Sequence, residues 1–362
     1  MTSREPGARR GIGRRGFLAL AVAAGIAGCG PSGGGATVRL ASGEVGGFYH
    51  AFAGLLGAAA AENGDVRIER VTTSGSQDNL ALLARGEVDA ALALADSVRE
   101  AADRLADPSP DHQPLSSHYA TPARPSPGHH PSTSRSATLA DLSPDHHPST
   151  SRSATLCALG RVYENYLQLV VRSDSPIGSI ADLRGAKVSL GAEGSGAALT
   201  GERILRVAGL DPAVDVAISH RPLAEAVAAL TGGEADALLW AGGVPTTLLA
   251  VPSRMRLVDM GELAAPMRER FGPVYDRVAI PADAYPGAAA VHTIGVANLL
   301  LAASTMPEDV AAAIVELLVW HADALVPTVA AGTQFLDGRS LISTGSIPLH
   351  PGAAAVYRRW HG

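Results

Sequence analysis

Residues 42–98 carry the groups with most to offer a small ligand. They read Ser42-Gly-Glu-Val-Gly-Gly-Phe-Tyr-His and, further on, Val71-Thr-Thr-Ser-Gly-Ser-Gln-Asp-Asn. Each apolar strand runs into a small-residue loop and then a helix, which turns backbone N–H groups and helix N-termini toward a shared space. That chemistry suits an anionic group. Ser42, Gly46 and Gly47 belong to the first loop, where bare backbone either meets a ligand or makes a tight turn. Tyr49 follows as a lid, a hydroxyl donor or a half-buried core residue. Ser74 and Ser76 flank Gly75 as helix caps or carboxylate partners, and Asn79, one turn on, is expected in a cleft. In the second half of the chain Ser195 and Gly196 repeat the pattern as anion contacts or a plain cap, and Trp240 is placed on the ligand or in the core. Ser195 is not framed as Gly-x-Ser-x-Gly, and no His or acid is spaced to activate it, so the residues read as holding a molecule without transforming it. His220, Arg221 and Arg172 could counter a carboxylate; exposed surface positions are the plainer reading of each.

The elements that position these residues alternate. Val38–Ala41, 67–72 and 90–95 read as strands, and 48–62 and 77–85 as Ala/Leu-rich helices. A second set follows: a strand over 166–172, a helix from about 197 to 208, a strand over 214–219, a helix over 222–230 and a strand over 235–240. Such alternation, with short Gly loops, predicts an α/β protein with mostly parallel strands and right-handed crossovers. Two sets predict two lobes with the chain passing between them, and a ligand cleft beyond the strands' carboxyl ends. The C-terminal third reads less clearly, apart from a long amphipathic helix over 308–325 and a tail that closes against the first lobe.

Before any of this comes an address. Arg14-Arg15-Gly16-Phe17-Leu18 is a twin-arginine export pattern, and its apolar run, 17–27, is too short for the roughly twenty residues of a bilayer span. The run ends Ile26-Ala27-Gly28-Cys29, which resembles a bacterial lipobox with Cys29 as the lipidated mature N-terminus. Residues 1–28 thus read as a signal peptide and 29–35 as a flexible tether. Removing 1–28, with five Arg and one Glu, takes the formal charge from −6 to −10. An acidic, aromatic-poor body with no basic stripe is a poor partner for nucleic acid. Cys157 is then the only free thiol, so no internal disulfide is expected.

Residues 109–159 interrupt the pattern. Ser109-Pro-Asp-His-Gln-Pro, Ser126-Pro-Gly-His-His-Pro and Ser143-Pro-Asp-His-His-Pro recur every seventeen residues with almost nothing apolar to bury. Such a segment cannot offset its ordering entropy and is expected to be a disordered insert. Six of the twelve histidines lie in it. Adjacent histidines without a Cys or carboxylate framework give a metal no geometry, so no metal and no cofactor are expected.

On these residues the chain resembles the TAXI-type solute receptors of tripartite ATP-independent periplasmic (TRAP) transporters. The glycine loop with Tyr49, the Ser74-Gly75-Ser76…Asn79-Leu80…Gly86-Glu87-Val88-Asp89 block and Asp182-Leu183-Arg184-Gly185 carry the resemblance. So do Gly194-Ser195-Gly196, Gly233-Glu-Ala-Asp-Ala, Ile280-Pro281…Tyr285-Pro-Gly and Ile347-Pro-Leu-His-Pro-Gly-Ala. The resemblance implies a two-lobed, type II periplasmic-binding-protein-like fold whose interlobe cleft closes on a glutamate-like amino acid, a dicarboxylate or another small organic anion. It further implies delivery to a TRAP membrane permease and no catalytic turnover. The implied organisation is 36–108 as lobe 1, 160–172 as a crossover, 173–241 as lobe 2 and 242–362 mainly as lobe 1 with hinge crossings. Four positions depart from the family pattern: Glu44 for Gly, His50 for a second Tyr, Leu94 for Gln and Ala197 for Thr. A carboxylate at Glu44 would repel an anion unless it points away or finds a positive partner, and it admits a zwitterionic or cationic ligand. Alternatives are a receptor of similar fold for an ABC transporter, a ligand-binding accessory of a sensor kinase, and an α/β enzyme such as an esterase; the permease partner and the missing catalytic motifs separate them.

Overall fold

In the computed structural model, residues 35–63, 66–106, 155–250, 254–327 and 336–362 are described. The signal peptide, Cys29, the tether up to residue 34 and the repeat up to residue 154 lie outside them. The chain opens β1 (Ala36–Ala41), α1 (Phe48–Asn63), β2 (Val66–Val71), α2 (Ser76–Ala84), β3 (Ala90–Leu94) and α3 (Ala95–Ala106). It continues through β4 (Leu156–Arg172), β5 (Lys187–Ser189), α4 (Gly196–Val207), β6 (Ala217–Ser219), α5 (Leu223–Gly232) and β7 (Ala237–Gly242). The last third holds β8 (Met255–Val258), α6 (Ala264–Phe271), β9 (Tyr275–Ile280), β10 (Val291–Ala303), α7 (Glu308–Trp320), the short α8 (Gly338–Leu341) and α9 (Pro351–His361).

The strands follow the order β2-β1-β3-β10-β4-β7-β5-β6, with β8 beside β4 and β9 beside β10. At either end lies a parallel α/β wing: β1 pairs with β2 and β3, and β5 with β6 and β7. The two wings are joined by β4 and β10, long antiparallel partners paired from Gly295↔Tyr166 to Ala303↔Leu156, with register shifts at Asn298/Leu299 and Leu300/Leu301. The far halves of this pair meet different neighbours. Residues 298–302 of β10 pair with β3, while residues 291–296 pair with β9; residues 166–171 of β4 pair with β7. Both strands therefore pass from one lobe to the other at Tyr163–Tyr166 and Val296–Asn298.

Apolar packing divides at the same place. In the first lobe Phe52 and Leu56 of α1 meet Ile314 and Leu318 of α7 and Val356 of α9 on one sheet face. Leu80 and Leu83 of α2 pack with Val98 of α3 on the other. In the second lobe Leu190, Ile204, Leu239 and Met267 form one layer, and Leu223, Leu230, Leu238 and Tyr285 another. Buried side chains at i, i+3/i+4 spacing, such as Phe52, Leu56, Ala59 and Ala60, explain why α1 forms without an acidic first turn or a basic last one. This is a mixed α/β architecture of two lobes, each with its own apolar layers.

Several boundaries differ from the sequence expectation. Leu156–Leu159, assigned to the insert, open β4, and Ala158 and Leu159 are fully buried. The crossover is therefore a seventeen-residue strand and not a segment beginning at 160. Residues 255–296 do not pack mainly on lobe 1: Val258, Met267, Tyr275 and Ile294 belong to the second lobe's core, because β8 and β9 extend the sheet on that side. The helix expected over 308–325 ends at Trp320, and a 3-10 turn, Ala322–Leu325, follows.

Candidate ligand site between the lobes

At the strand ends the two lobes face each other across a cavity that is partly open to solvent. Its first-lobe wall is the 43–49 loop and the 74–76 loop; its second-lobe wall is the start of α4 and the end of β7, with Asn165 of β4 at the crossing between them. The lobes touch directly around it. Gln77 and Asp78, at the start of α2, donate their amides to Gly194 O at 3.0 and 3.2 Å, and the Gln77 side-chain amide donates to Ser195 O at 3.1 Å. Gly75 makes this approach possible. Its φ is +132°, and a Cβ there would sit 3.2 Å from the Cα of Ser195.

Seven of the ten candidate residues meet at this cavity: Gly47, Tyr49, Ser74, Ser76, Ser195, Gly196 and Trp240. Several are also held by the protein. The Ser76 hydroxyl accepts from Leu94 N at 3.1 Å and pairs with the Tyr49 hydroxyl at 2.9 Å. Burial, together with the negative charge of Asp96, pushes the Tyr49 phenol far above its usual range, while its bond to Ser76 works the other way. Ser195 caps α4, its hydroxyl accepting from Ala198 N at 3.1 Å. The amides of Gly196 and Ala197, in the first turn of α4, have no intrahelical acceptor and border the cavity. The equivalent amides of α2 are not equally available, because the Gly194 carbonyl takes those of Gln77 and Asp78.

Three candidates are placed elsewhere. Ser42 is fully buried and donates its hydroxyl to Val71 O at 3.1 Å, tying β1 to the end of β2. Asn79 is also fully buried; its side-chain amide donates to Leu92 O at 2.6 Å while its oxygen accepts from the Thr73 hydroxyl, which in turn takes Gly43 N at 2.9 Å. It braces the two loops from behind, a use of a mid-helix amide that sequence alone does not separate from a cleft position. Gly46 (φ +87°) is exposed at the rim beside Leu248.

Glu44, Leu94 and Ala197, marked in the sequence only as departures, all line the cavity. The Glu44 carboxylate accepts the amide of Leu223 at 2.9 Å. Leu223 opens α5, whose N-cap is Pro222 with no side chain to offer, so a carboxylate from the first lobe caps a helix of the second. Burial nevertheless raises the Glu44 pKa against this bond, with Glu225 adding to the rise. Leu94 packs in the second lobe's core and presses on α4: a Cβ on Gly196 would fall 2.5 Å from Leu94 Cδ1 and 2.6 Å from Ser76 Oγ.

Asn165 was missed altogether. It is 3% exposed, lines the cavity, and its side-chain oxygen has no hydrogen-bond partner. The available signal was the run of polar residues, Glu164, Asn165 and Gln168, inside an otherwise apolar strand. Trp240 is 6% exposed, and its indole N–H is also unpartnered. Of the three basic candidates, Arg172 donates to Leu230 O and Ala235 O, and Arg221 pairs with Glu234 at the surface; neither borders the cavity, nor does His220.

Three comparisons with solved structures are informative about scale. The periplasmic aliphatic sulphonate binding protein SsuA from Escherichia coli is 16% identical, with 90% of this chain and 83% of that one covered at a TM-score of 0.42. XAC2383 from Xanthomonas citri, solved bound to ATP, is 13% identical, with 90% and 95% covered at 0.44. The substrate binding protein of an amino acid ABC transporter is 14% identical, with 78% and 92% covered at 0.40. Likeness at this level bears on neither ligand nor partner. The sequence match is firmer: the model of the NMT1-like family spans residues 148–359, more than half the chain and all of β4 through α8. The chain belongs to the NMT1-like family.

Proposed function

We propose that this chain is an extracytoplasmic solute-binding receptor that holds a small organic anion or amino acid between its lobes and delivers it to a membrane permease. The observation that carries this reading is the interlobe cavity itself, bordered by two glycine loops and the unsatisfied first-turn amides of α4. A carboxylate seated there meets two N–H donors and the positive end of the helix dipole. Turnover is not part of the reading. Among the described residues no His or Cys lines the cavity, and the Ser195 hydroxyl is committed to its cap.

The TAXI-type TRAP receptors are the class we favour, on the ordered motifs from Tyr49 to Ala353. Export by the twin-arginine route and lipid anchoring at Cys29 complete the proposal, placing the lobes outside the cytoplasm. Ligand capture would work by hinge closure about Tyr163–Tyr166 and Val296–Asn298, where, among the described residues, two strands cross. The experiment is thermal denaturation of the full chain against amino acids, dicarboxylates and 2-oxo acids. A ligand binding the native state at a hundredfold excess over its Kd adds about 2.7 kcal/mol and raises the midpoint. A cooperative melt unmoved by every compound would overturn the receptor reading.

A further inference from the structure

We propose that Asn165 and Glu44 set the ligand class of this cavity: a zwitterion with one carboxylate and one positively charged, hydrogen-donating end, taken in preference to a dicarboxylate. The inference rests on the receptor reading and narrows it. Charge is the first ground. Among the described residues lining the cavity there is no Lys, Arg or His, and Glu44 is the one carboxylate. The α4 N-terminus can neutralise one ligand carboxylate. A second would enter a partly desolvated space that offers no cation and already holds a negative charge, where like charges repel far more strongly than in water.

Hydrogen bonding is the second ground, and it is independent of the first. A buried amide oxygen left without a donor is costly, and native proteins rarely tolerate one without a reason. Gln168, three residues along the same strand and equally buried, is fully engaged: its oxygen accepts from the Tyr285 hydroxyl and its nitrogen donates to Gly243 O at 3.4 Å. Asn165 has no such partner for its oxygen, and it differs from Gln168 in lining the cavity. An acceptor left open in a cavity that also holds a carboxylate asks for a donor. An ammonium group supplies three N–H bonds and a compensating charge, whereas the distal carboxylate of a dicarboxylate supplies neither.

The test is isothermal titration of the full chain with L-alanine, L-serine and L-glutamine, against succinate, malate and 2-oxoglutarate, with L-glutamate between the two groups. At least one neutral amino acid should bind, and every dicarboxylate without an amino group should bind at least about tenfold more weakly. Asn165→Ala should weaken amino-acid binding about tenfold or more, as expected for a lost bond to a charged donor. Glu44→Gln, which keeps an acceptor for Leu223 N, should narrow the gap between the two groups. Dicarboxylates binding as tightly as amino acids would overturn this inference and leave the receptor reading standing. So would an unchanged affinity in Asn165→Ala. Binding by no compound in the panel would overturn both. The wild-type titrations decide the selectivity even if a variant fails to fold.

Discussion

Gly196 shows how tightly the two lobes are fitted at the level of single atoms. Its φ is ordinary, so the backbone does not demand glycine; the neighbours do. A methyl group there would enter the space of Leu94 Cδ1 and Ser76 Oγ, and Leu94 is only 1% exposed, so it cannot swing into solvent. Gly196→Ala should therefore hold the start of α4 away from the 74–76 loop. Overpacking of this kind costs about 1–3 kcal/mol. Part of the cost falls on the contact between the lobes, since Ser76 belongs to the first lobe, and part on the second lobe's own core, where Leu94 packs. The expected outcome is a ligand affinity reduced at least about fivefold, corresponding to about 1 kcal/mol, with an unliganded melting temperature within a few degrees of wild type. Equal affinity in the two proteins would show that the contact is not on the path to closure. Leu94 itself illustrates a substitution whose effect spacing could not disclose. In the sequence it stands only as a departure from a polar residue, whereas its side chain fills the second lobe's core and borders the cavity.

Between elements, a buried polar network ties α3 to α4. Asp96, fully buried, accepts from the Thr200 hydroxyl at 2.6 Å and from the Tyr275 hydroxyl at 3.1 Å, and the Arg203 guanidinium lies 3.7 Å away. Arg203 also donates to the Tyr275 hydroxyl at 2.9 Å and pairs with Glu100. Burial opposes the charge on Arg203, but Asp96, Tyr275 and Glu100 together hold its pKa above the ordinary guanidinium value. Removing one partner of a buried pair leaves the other charge uncompensated, at a cost of about 3–5 kcal/mol. Arg203→Met should lower stability by that amount in urea denaturation, and Thr200→Val, which removes a neutral donor, by about 1–3 kcal/mol. A loss below about 1 kcal/mol for Arg203→Met would mean that water already reaches Asp96. None of this network was legible in the sequence. Asp96, Arg203 and Tyr275 are far apart along the chain and ordinary in their local patterns, and only the crossing of β4 and β10 brings them together. The parallel wings were legible because their apolar strands and Ala-rich helices repeat a short-range rule. The β8–β10 region was not, because long antiparallel strands buried on both faces, such as β10, lack the period-two alternation that marks a strand.

For the molecule as a whole, buried ionisable groups pull the stability in opposite directions as pH changes. Burial lowers the imidazole pKa of His350 and, with the charge of Arg70, that of His50. Below about 6.5 the unfolded chain takes up these protons before the folded one, so their contribution is lost as pH falls through that window. Burial raises the carboxyl pKa of Glu44 and of Glu164, the latter against the pull of Arg161. Above about 4.5 the folded chain retains those protons longer than the unfolded one, so their contribution grows as pH falls. The two pairs therefore oppose each other on the acid side of neutrality. At lower pH a third group takes over. Hydrogen bonds from the Gly178 amide and from Ser179 hold Asp182 below its usual range, and those from Ser340 do the same for Asp337; stability from these is present above about 3.9 and lost as pH falls through their folded values. His350 is the member that can be tested alone. It is the N-cap of α9, its Nδ1 accepting from Gly352 N at 3.3 Å, and its backbone amide bonds Ala158 O at the start of β4. His350→Asn keeps a good capping residue and removes the titration. Urea midpoints measured from pH 7 down to pH 5 should then shift steadily in favour of the variant relative to wild type. Parallel profiles for the two proteins would show that the imidazole takes up its proton equally in both states, and that the docking of the C-terminal helix is not a source of acid sensitivity.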